Sequence, residues 1–594
     1  MDSTNIAVRF AAAVAVHAHR PATRVRRGDA WAVRTYGELG ADVRRLAARL
    51  IERGLVPGDR VALFAANLPE WSLVDLACLT AGLVVVPLYP TSTPDQVRHI
   101  LGDSGARAIF LDGPSEWERV SPLRDQLPGL EVVVSFRAVD DDAVPTLADE
   151  LSAGSDEAPV DDRLATARGA DLATIVYTSG TTGLPKGVML HHAGFTHQIS
   201  LLNRHLRIAP DDSSLSFLPL SHALERAWTF VVLTNGCLNT YVPDPRTVAE
   251  QLVLARPTLL VSVPRLYEKV FQAARDKVAD SRLKRRILSW ALSVGARYHR
   301  AVVAGRRPSA LVAAQYRVAD RLALASIREA MGGDKSVLAC GGAPLRQEIE
   351  EFFLACGLLV LQGYGLTEAS PLVSFPSPDA YRFGTVGKVI DDAEVRLTDE
   401  GEICYRGPNL MMGYWGQPAE TAAVLVDGWL HTGDVGEVDA DGFLRITDRI
   451  KDLIVTSTGK NIAPAPIEGM LAADPLLEYT LLLGDNRPYL TLLVSPSLPH
   501  LEDIGRQLQL SWEHREELLN HPEVVTEIKR RVAALTEKLA NHEQIRDLRM
   551  MVGGFTQENG LLTPTLKVRR REVERRFAQL VDDMYAKAGR PRHE

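Results

Sequence analysis

Eleven residues, Tyr177-Thr-Ser-Gly-Thr-Thr-Gly-Leu-Pro-Lys-Gly187, limit this 594-residue chain more than any other stretch. Ile175 to Tyr177 reads as a buried strand that leads into a turn crowded with hydroxyls, glycines and one lysine. Glycine lets backbone N–H groups approach an anion closely, hydroxyls add donors, and lysine adds charge. That combination suits a polyphosphate. It is not the P-loop pattern, because Gly187 follows Lys186 where that motif needs Ser or Thr.

The length implies at least two domains. Net charge is −8, which argues against a general nucleic-acid binder but allows an anionic substrate in a locally positive site. Cys78, Cys237, Cys340, Cys356 and Cys404 are scattered without close pairs, so neither a disulfide framework nor a zinc site is expected, and a reducing cytoplasm fits. The first twenty residues hold a short apolar patch without a cleavage pattern and read as mature protein. The longest apolar stretch, Leu79 to Leu88, is interrupted by Gly82 and Pro87 and is too short to span a bilayer.

Apolar β-branched runs at Val61–Phe64, Val84–Val86 and Ala108–Phe110 alternate with helical spacing such as Leu39, Val43, Leu46 and Leu50. This predicts an α/β fold with parallel-rich sheets. Residues 137–169 are acidic with little periodicity and read as a surface connection. Residues 265–330 are helix-rich and carry the basic cluster Lys284-Arg285-Arg286, either a solvated helix face or a contact with anionic lipid. From Thr385 to Arg445 short strands and turns predict a small β-rich subdomain, and Thr447 to Leu453 reads as a charged connector. The expected organisation is a large domain over 1–450 and a small mobile α+β domain over 451–594.

The hydroxyl-rich segment resembles the signature of the adenylate-forming superfamily of acyl-CoA synthetases, luciferases and peptide-synthetase adenylation domains. Further motifs follow in family order from about Ala30 to about Phe577, with the strongest likeness to the long-chain fatty-acid–CoA ligases. The resemblance assigns Thr178, Ser179, Gly180, Thr181, Thr182, Gly183 and Lys186 to ATP phosphates. Gln362-Gly-Tyr-Gly-Leu-Thr-Glu368 resembles the adenine and magnesium motif. It implies Gln362, Gly363 and Tyr364 at adenine, Thr367 at the α-phosphate, and Glu368 with Thr178 on Mg²⁺. Gly342 and Ala343, in Cys340-Gly-Gly-Ala-Pro344, would flank the acyl and adenine sites. Asp434, with Arg449, would hold the ribose, since a carboxylate accepts from both hydroxyls of a diol.

Leu218-Pro-Leu-Ser-His-Ala-Leu-Glu-Arg226 resembles the segment beside the acyl carboxylate, with His222 as a positioning or gating group and Glu225-Arg226 as a structural ion pair or a catalytic pair. Lys567 resembles the adenylation lysine, Lys451 the hinge, and Gly459, in the segment of Lys460 and Glu468, the approach of the CoA arm. The implied activity is long-chain fatty-acid–CoA ligation through an acyl-AMP, using ATP, Mg²⁺ and coenzyme A, by a monomer or homodimer that is cytoplasmic or peripheral at the inner face of a membrane. Two alternatives stand beside it: a fatty acyl-AMP ligase loading a carrier protein, and a non-catalytic lipid-binding relative. Against the first, only Ala369 to Phe383 separate Glu368 from Gly384, too short for the extra segment of those relatives.

Overall fold

The computed structural model describes residues 3–178, 185–457, 460–551, 553–557, 559–563 and 568–585, and leaves undescribed the side chains of Lys451 and Asn461. Ser179, Gly180, Thr181, Thr182, Gly183, Gly459 and Lys567 therefore lie outside the described residues. Two compact units result. The first comprises Met1–Arg396, Cys404–Thr432 and Val438–Arg445, and the second Leu397–Ile403, Gly433–Glu437 and Ile446–Glu594.

The first unit is built on two seven-stranded sheets. One runs in the order Gly413–Tyr414, Lys186–His191, Leu172–Thr178, Val84–Leu88, Arg60–Phe64, Ala108–Leu111, Val132–Ser135. From Leu172–Thr178 onward its neighbours are parallel, and every residue of Val84–Leu88 and Ala108–Leu111 is buried. Burial on both faces explains runs without alternation, the mark of a parallel strand covered by helices. The other sheet runs Val360–Gln362, Val337–Cys340, Leu259–Ser262, Ser213–Ser216, Leu238–Tyr241, Pro21–Arg27, Ala30–Thr35, all parallel except the last pair. The helix Tyr36–Glu52 covers the predicted apolar stripe and starts with a capping box between Thr35 and Glu38.

Residues 137–169 differ from the expected loose connection. They contain the helices Leu147–Ser152, capped by Thr146, and Ala158–Thr166. Three of the acids here are spent on arginines of the helix Tyr36–Glu52 and the residue that ends it. Glu150 is buried against Arg49 at 3.0 Å and Arg53, while Arg44 meets Glu157 and Asp161, each at 2.9 Å. Charge used for packing looks in a sequence like charge facing water. The expected connector over 447–453 is also more regular, because the strand Leu444–Arg449 runs into it before a 3₁₀ turn over Ile450–Asp452.

In the second unit Tyr479–Leu483 pairs antiparallel with Leu490–Ser495, which pairs parallel with Ile545–Met550. Helices including Pro464–Leu471, Leu498–Gln507 and Pro522–Leu535 bury Ile467, Leu501, Ile528 and Val532 in one core with the inner residues of this sheet. All five cysteines are buried, and no disulfide joins them. No described helix is long and apolar enough to cross a membrane.

Candidate active site

Four segments of the first unit leave the carboxyl ends of neighbouring parallel strands. Phe217 to His222 follow Ser213–Ser216, Val263 follows Leu259–Ser262, Gly341 to Pro344 follow Val337–Cys340, and Gly363 to Glu368 follow Val360–Gln362. Ligands of open α/β sheets bind at this edge, where loops are free to diverge and backbone groups are exposed. The segments touch. The Gly363 amide donates to the Cys340 carbonyl at 2.9 Å, and the Leu345 amide donates to buried Gln362 Oε1 at 3.0 Å. A Cβ on Gly341 would meet Leu224 at 3.5 Å, and one on Gly342, at φ +82°, would meet Val263 at 3.5 Å. Gln362, Gly363, Gly342, Ala343 and the start of the His222 helix therefore share one rim. Ala343 is exposed on it, and Tyr364 and Thr367 are buried.

Beyond Tyr364 the backbone turns back sharply. A Cβ on Gly365 would lie 1.7 Å from the Pro371 carbonyl, so only glycine fits. Asn409 donates to the carbonyls of Ala369 and of Leu372, the latter at 2.7 Å, and Gln198 donates to Ala369 at 3.0 Å. These amides hold the turn that presents Glu368.

The hydroxyl-rich segment lies between two antiparallel strands, with Thr178 opposite Lys186 and Tyr177 opposite Gly187. Tyr177 donates to Asp103 at 2.5 Å, and Trp415 Nε1 donates to the Asp103 carbonyl at 3.0 Å. A side chain at Gly187 would strike Ile175 at 2.6 Å, so this glycine serves packing at the base of the turn. The strand Gly413–Tyr414 pairs with Lys186–His191 and sets Tyr414 between two expected site residues. Tyr414 donates to Glu368 Oε1 at 3.0 Å, and its ring centroid lies 5.4 Å from the Lys186 ammonium. Lys186 is also ion-paired with Glu420. Burial, followed by the neighbouring Glu368 charge, pushes the Tyr414 phenol well above its ordinary pKa, so it stays a proton donor.

Tyr414 and Glu420 were not anticipated. The only signal was the aromatic pair Tyr414-Trp415 after Gly413, which reads equally well as a turn. Tyr414→Phe is expected to raise the KM for Mg–ATP about 10-fold while leaving the KM for the acid unchanged, because a hydrogen bond to a carboxylate contributes on the order of 1.5–3 kcal/mol. Initial rates with each substrate varied in turn test this.

His222 caps the helix Ala223–Thr234. Its Nδ1 accepts from the Leu224 amide at 3.2 Å, which places the proton of the neutral ring on Nε2. The expected Glu225-Arg226 ion pair does not form. Arg226 instead makes a bidentate pair with Asp75 at 2.9 and 2.5 Å, both side chains being almost fully buried, and donates to Thr174 Oγ1 at 2.6 Å. A guanidinium fork matches a carboxylate better than adjacency in sequence can arrange on a helix. Glu225 is left fully buried. Ser216 and the Leu218 backbone lie near it, but neither carboxyl oxygen gains a hydrogen bond among the described residues.

Burial pushes the Glu225 carboxyl up to about 8. The folded protein therefore keeps a proton that the unfolded chain releases near pH 4–5, and this contribution to stability is present at low pH and lost as pH rises toward about 8. Relative to Glu225→Gln, the unmodified protein should lose up to about 1.4 kcal/mol for each pH step between about 5 and 8. Urea unfolding of both proteins across that range measures the slope.

In the second unit, buried Asp434 accepts from Arg449 Nε at 2.8 Å, so these two expected ribose residues come together. Glu468 accepts from Arg570 and from the Leu482 amide, both at 2.7 Å.

Similarity to known proteins agrees with this geometry. Residues 10–415 match the model of the AMP-binding enzyme family, and residues 451–589 match that of the AMP-binding enzyme C-terminal domain. The long-chain-fatty-acid–CoA ligase FadD15 of Mycobacterium bovis is 35% identical over 94% of this chain and 93% of its own. The long chain acyl-CoA synthetase 7 of Arabidopsis thaliana, a peroxisomal protein, is 31% identical over 93% of this chain and 81% of its own. The adenylation domain of a Mycobacterium chelonae carboxylate reductase has the same fold, with a TM-score of 0.77 at 20% identity over 98% of this chain and 93% of that one. With its strand-end rim, its Lys186–Tyr414–Glu368 cluster and these matches along nearly its whole length, the chain belongs to the AMP-binding enzyme family of adenylate-forming, ATP-dependent ligases.

Proposed function

We infer that the protein is a long-chain fatty-acid–CoA ligase. The observation that carries this reading is the convergence of Lys186 and Glu368 on Tyr414, beside the carboxyl-end rim that bears Gly342, Gln362 and Gly363. In the first step a fatty carboxylate oxygen attacks the α-phosphorus of ATP in line, the bond to the β-phosphate oxygen breaks, and pyrophosphate leaves. Lys186 and the hydroxyls from Thr178 to Thr182 offset its charge, and Gly183 gives it backbone access. Tyr364 faces adenine, with Gln362, Gly363, Gly342 and Ala343 around it. Thr367 bonds the α-phosphate, and Asp434 with Arg449 holds the ribose. His222 orients the carboxylate through Nε2, and Lys567 bridges the carboxylate and the α-phosphate.

In the second step the CoA sulfur attacks the acyl carbonyl and its proton passes to solvent. The carbon–oxygen bond to phosphate breaks, and AMP departs. The division of labour places acyl and ATP binding in residues 1–450 and Lys567 in residues 451–594. The two family matches, ending at 415 and beginning at 451, support that division. Lys451 serves as the hinge that exchanges Lys567 for Gly459 between steps.

The donor set suits Mg²⁺. Tyr414 engages one Glu368 oxygen by hydrogen bonding, which leaves hard carboxylate oxygen capacity for a cation that takes few protein ligands and keeps its waters. Glu368 and Thr178 would hold it, and when bound it supplies neutralisation of phosphate charge. The reading also places the protein in the cytoplasm with peripheral contact to a membrane, where a water-insoluble acid resides.

The decisive experiment supplies the purified protein with ATP, Mg²⁺, CoA and acids of increasing length. AMP and acyl-CoA in equal amounts, favouring long acids, are expected. Acyl-AMP without transfer to CoA would point to the carrier-protein alternative, and no AMP with any acid would overturn the reading.

A further inference from the structure

The helices Arg282–Val303 and Ala310–Ala319 form a hairpin, with Tyr298 stacked on Tyr316 at 4.1 Å and Arg297 donating to Gln315 at 3.4 Å. Between Ser281 and Ala319 there are nine Lys and Arg residues and no Asp or Glu, in a chain whose net charge is −8. Such segregation has a structural cost, since like charges repel along a helix and gain nothing from one another. Among the described residues, Lys284, Arg285, Arg286, Arg306 and Arg307 meet no carboxylate within 4 Å. Internal ion pairing therefore does not explain them.

Large apolar side chains stand among these cations. On the first helix Leu283, Arg286 and Trp290 follow helical spacing along one exposed stripe, while Leu288 and Ala291 are buried on another face. On the second, Leu311, Val318 and then Leu322 just beyond it repeat the pattern. Leu283 is 68% exposed and Leu311 69%, so about two thirds of each residue faces water. A nucleic acid would match the charge but would leave Leu283, Trp290 and Leu311 without a partner. Leucines that reach into acyl chains, a tryptophan at headgroup depth and long cations at phosphate level match the cross-section of an anionic bilayer.

We propose that the hairpin Arg282–Ala319 is the surface by which this protein docks on anionic lipid membranes. The inference deepens the ligase reading by naming the membrane contact, but it is read without ATP, acid or CoA, so its failure is separate from failure of the ligase assay. The full-length protein is sedimented with phosphatidylcholine vesicles and with vesicles containing phosphatidylglycerol at roughly one part in three. Binding to the second, weak binding to the first, and loss in high salt are expected. The triple variant Lys284→Gln, Arg285→Gln, Arg286→Gln should bind the anionic vesicles about 10²-fold more weakly, since each cation near such a surface contributes a factor of roughly five.

The pair Leu283→Ser, Trp290→Ser should weaken binding at every salt concentration. Far-ultraviolet circular dichroism and the unfolding midpoint of each variant check that the hairpin is intact. Equal binding to neutral and anionic vesicles, or undiminished binding by an intact triple variant, overturns the proposal. So does sedimentation with neither vesicle while polyuridylate or an acidic protein is bound.

Discussion

Asp75→Ala is expected to destabilise the protein by about 3–5 kcal/mol, the cost of leaving one member of a buried ion pair without its partner. Arg226 and Asp75 are each about 1% exposed, and the two bonds between them fill the fork of the guanidinium. The third arm of Arg226 reaches Thr174, whose hydroxyl donates to the Val85 carbonyl at 2.6 Å. One cation thus ties the helix capped by His222 to the strand that runs into the hydroxyl-rich turn. Asp75→Ala leaves the guanidinium buried and unpaired, whereas the double substitution Asp75→Leu, Arg226→Met removes both charges and should recover most of the loss. Chemical unfolding of Asp75→Leu, Arg226→Met and the variant carrying both substitutions measures the coupling. Additive effects would show that the pair acts as two independent residues and would refute this account.

Lys567→Ala is expected to slow acyl-AMP formation by about 10²–10³-fold, the usual effect of removing one donor aimed at transition-state charge. Thioester formation from supplied acyl-AMP should be far less affected, because no pyrophosphate is displaced in that step. Pyrophosphate exchange into ATP reads the first half-reaction and single-turnover acyl-CoA formation reads the second. Equal losses in both would remove Lys567 from the role given to it. Arg569, Arg570 and Arg571 stand close behind it in sequence, and Arg570 is already engaged by Glu468 at 2.7 Å and by the Leu482 carbonyl. Arg570→Ala should therefore disturb the packing of the second unit and not distinguish the half-reactions.

The sequence alone determined the local chemistry: an apolar run that must be a buried strand, a turn crowded with small and hydroxylated residues, and a carboxylate at a set distance behind a tyrosine. These are short-range properties, written in neighbouring residues, and Val84–Leu88, Ala108–Leu111 and the strand before Thr178 follow from them. Pairing between distant residues was decided only by tertiary structure. Arg226 stands next to Glu225 yet bonds Asp75, 151 positions away, and Tyr414 reaches Glu368 across 46. Glu150, Glu157 and Asp161 serve Arg44, Arg49 and Arg53, pairings that no window along the chain displays. A side chain carries its charge and shape in the sequence, but its partner is set by which surfaces the packed sheets and helices bring within bonding distance.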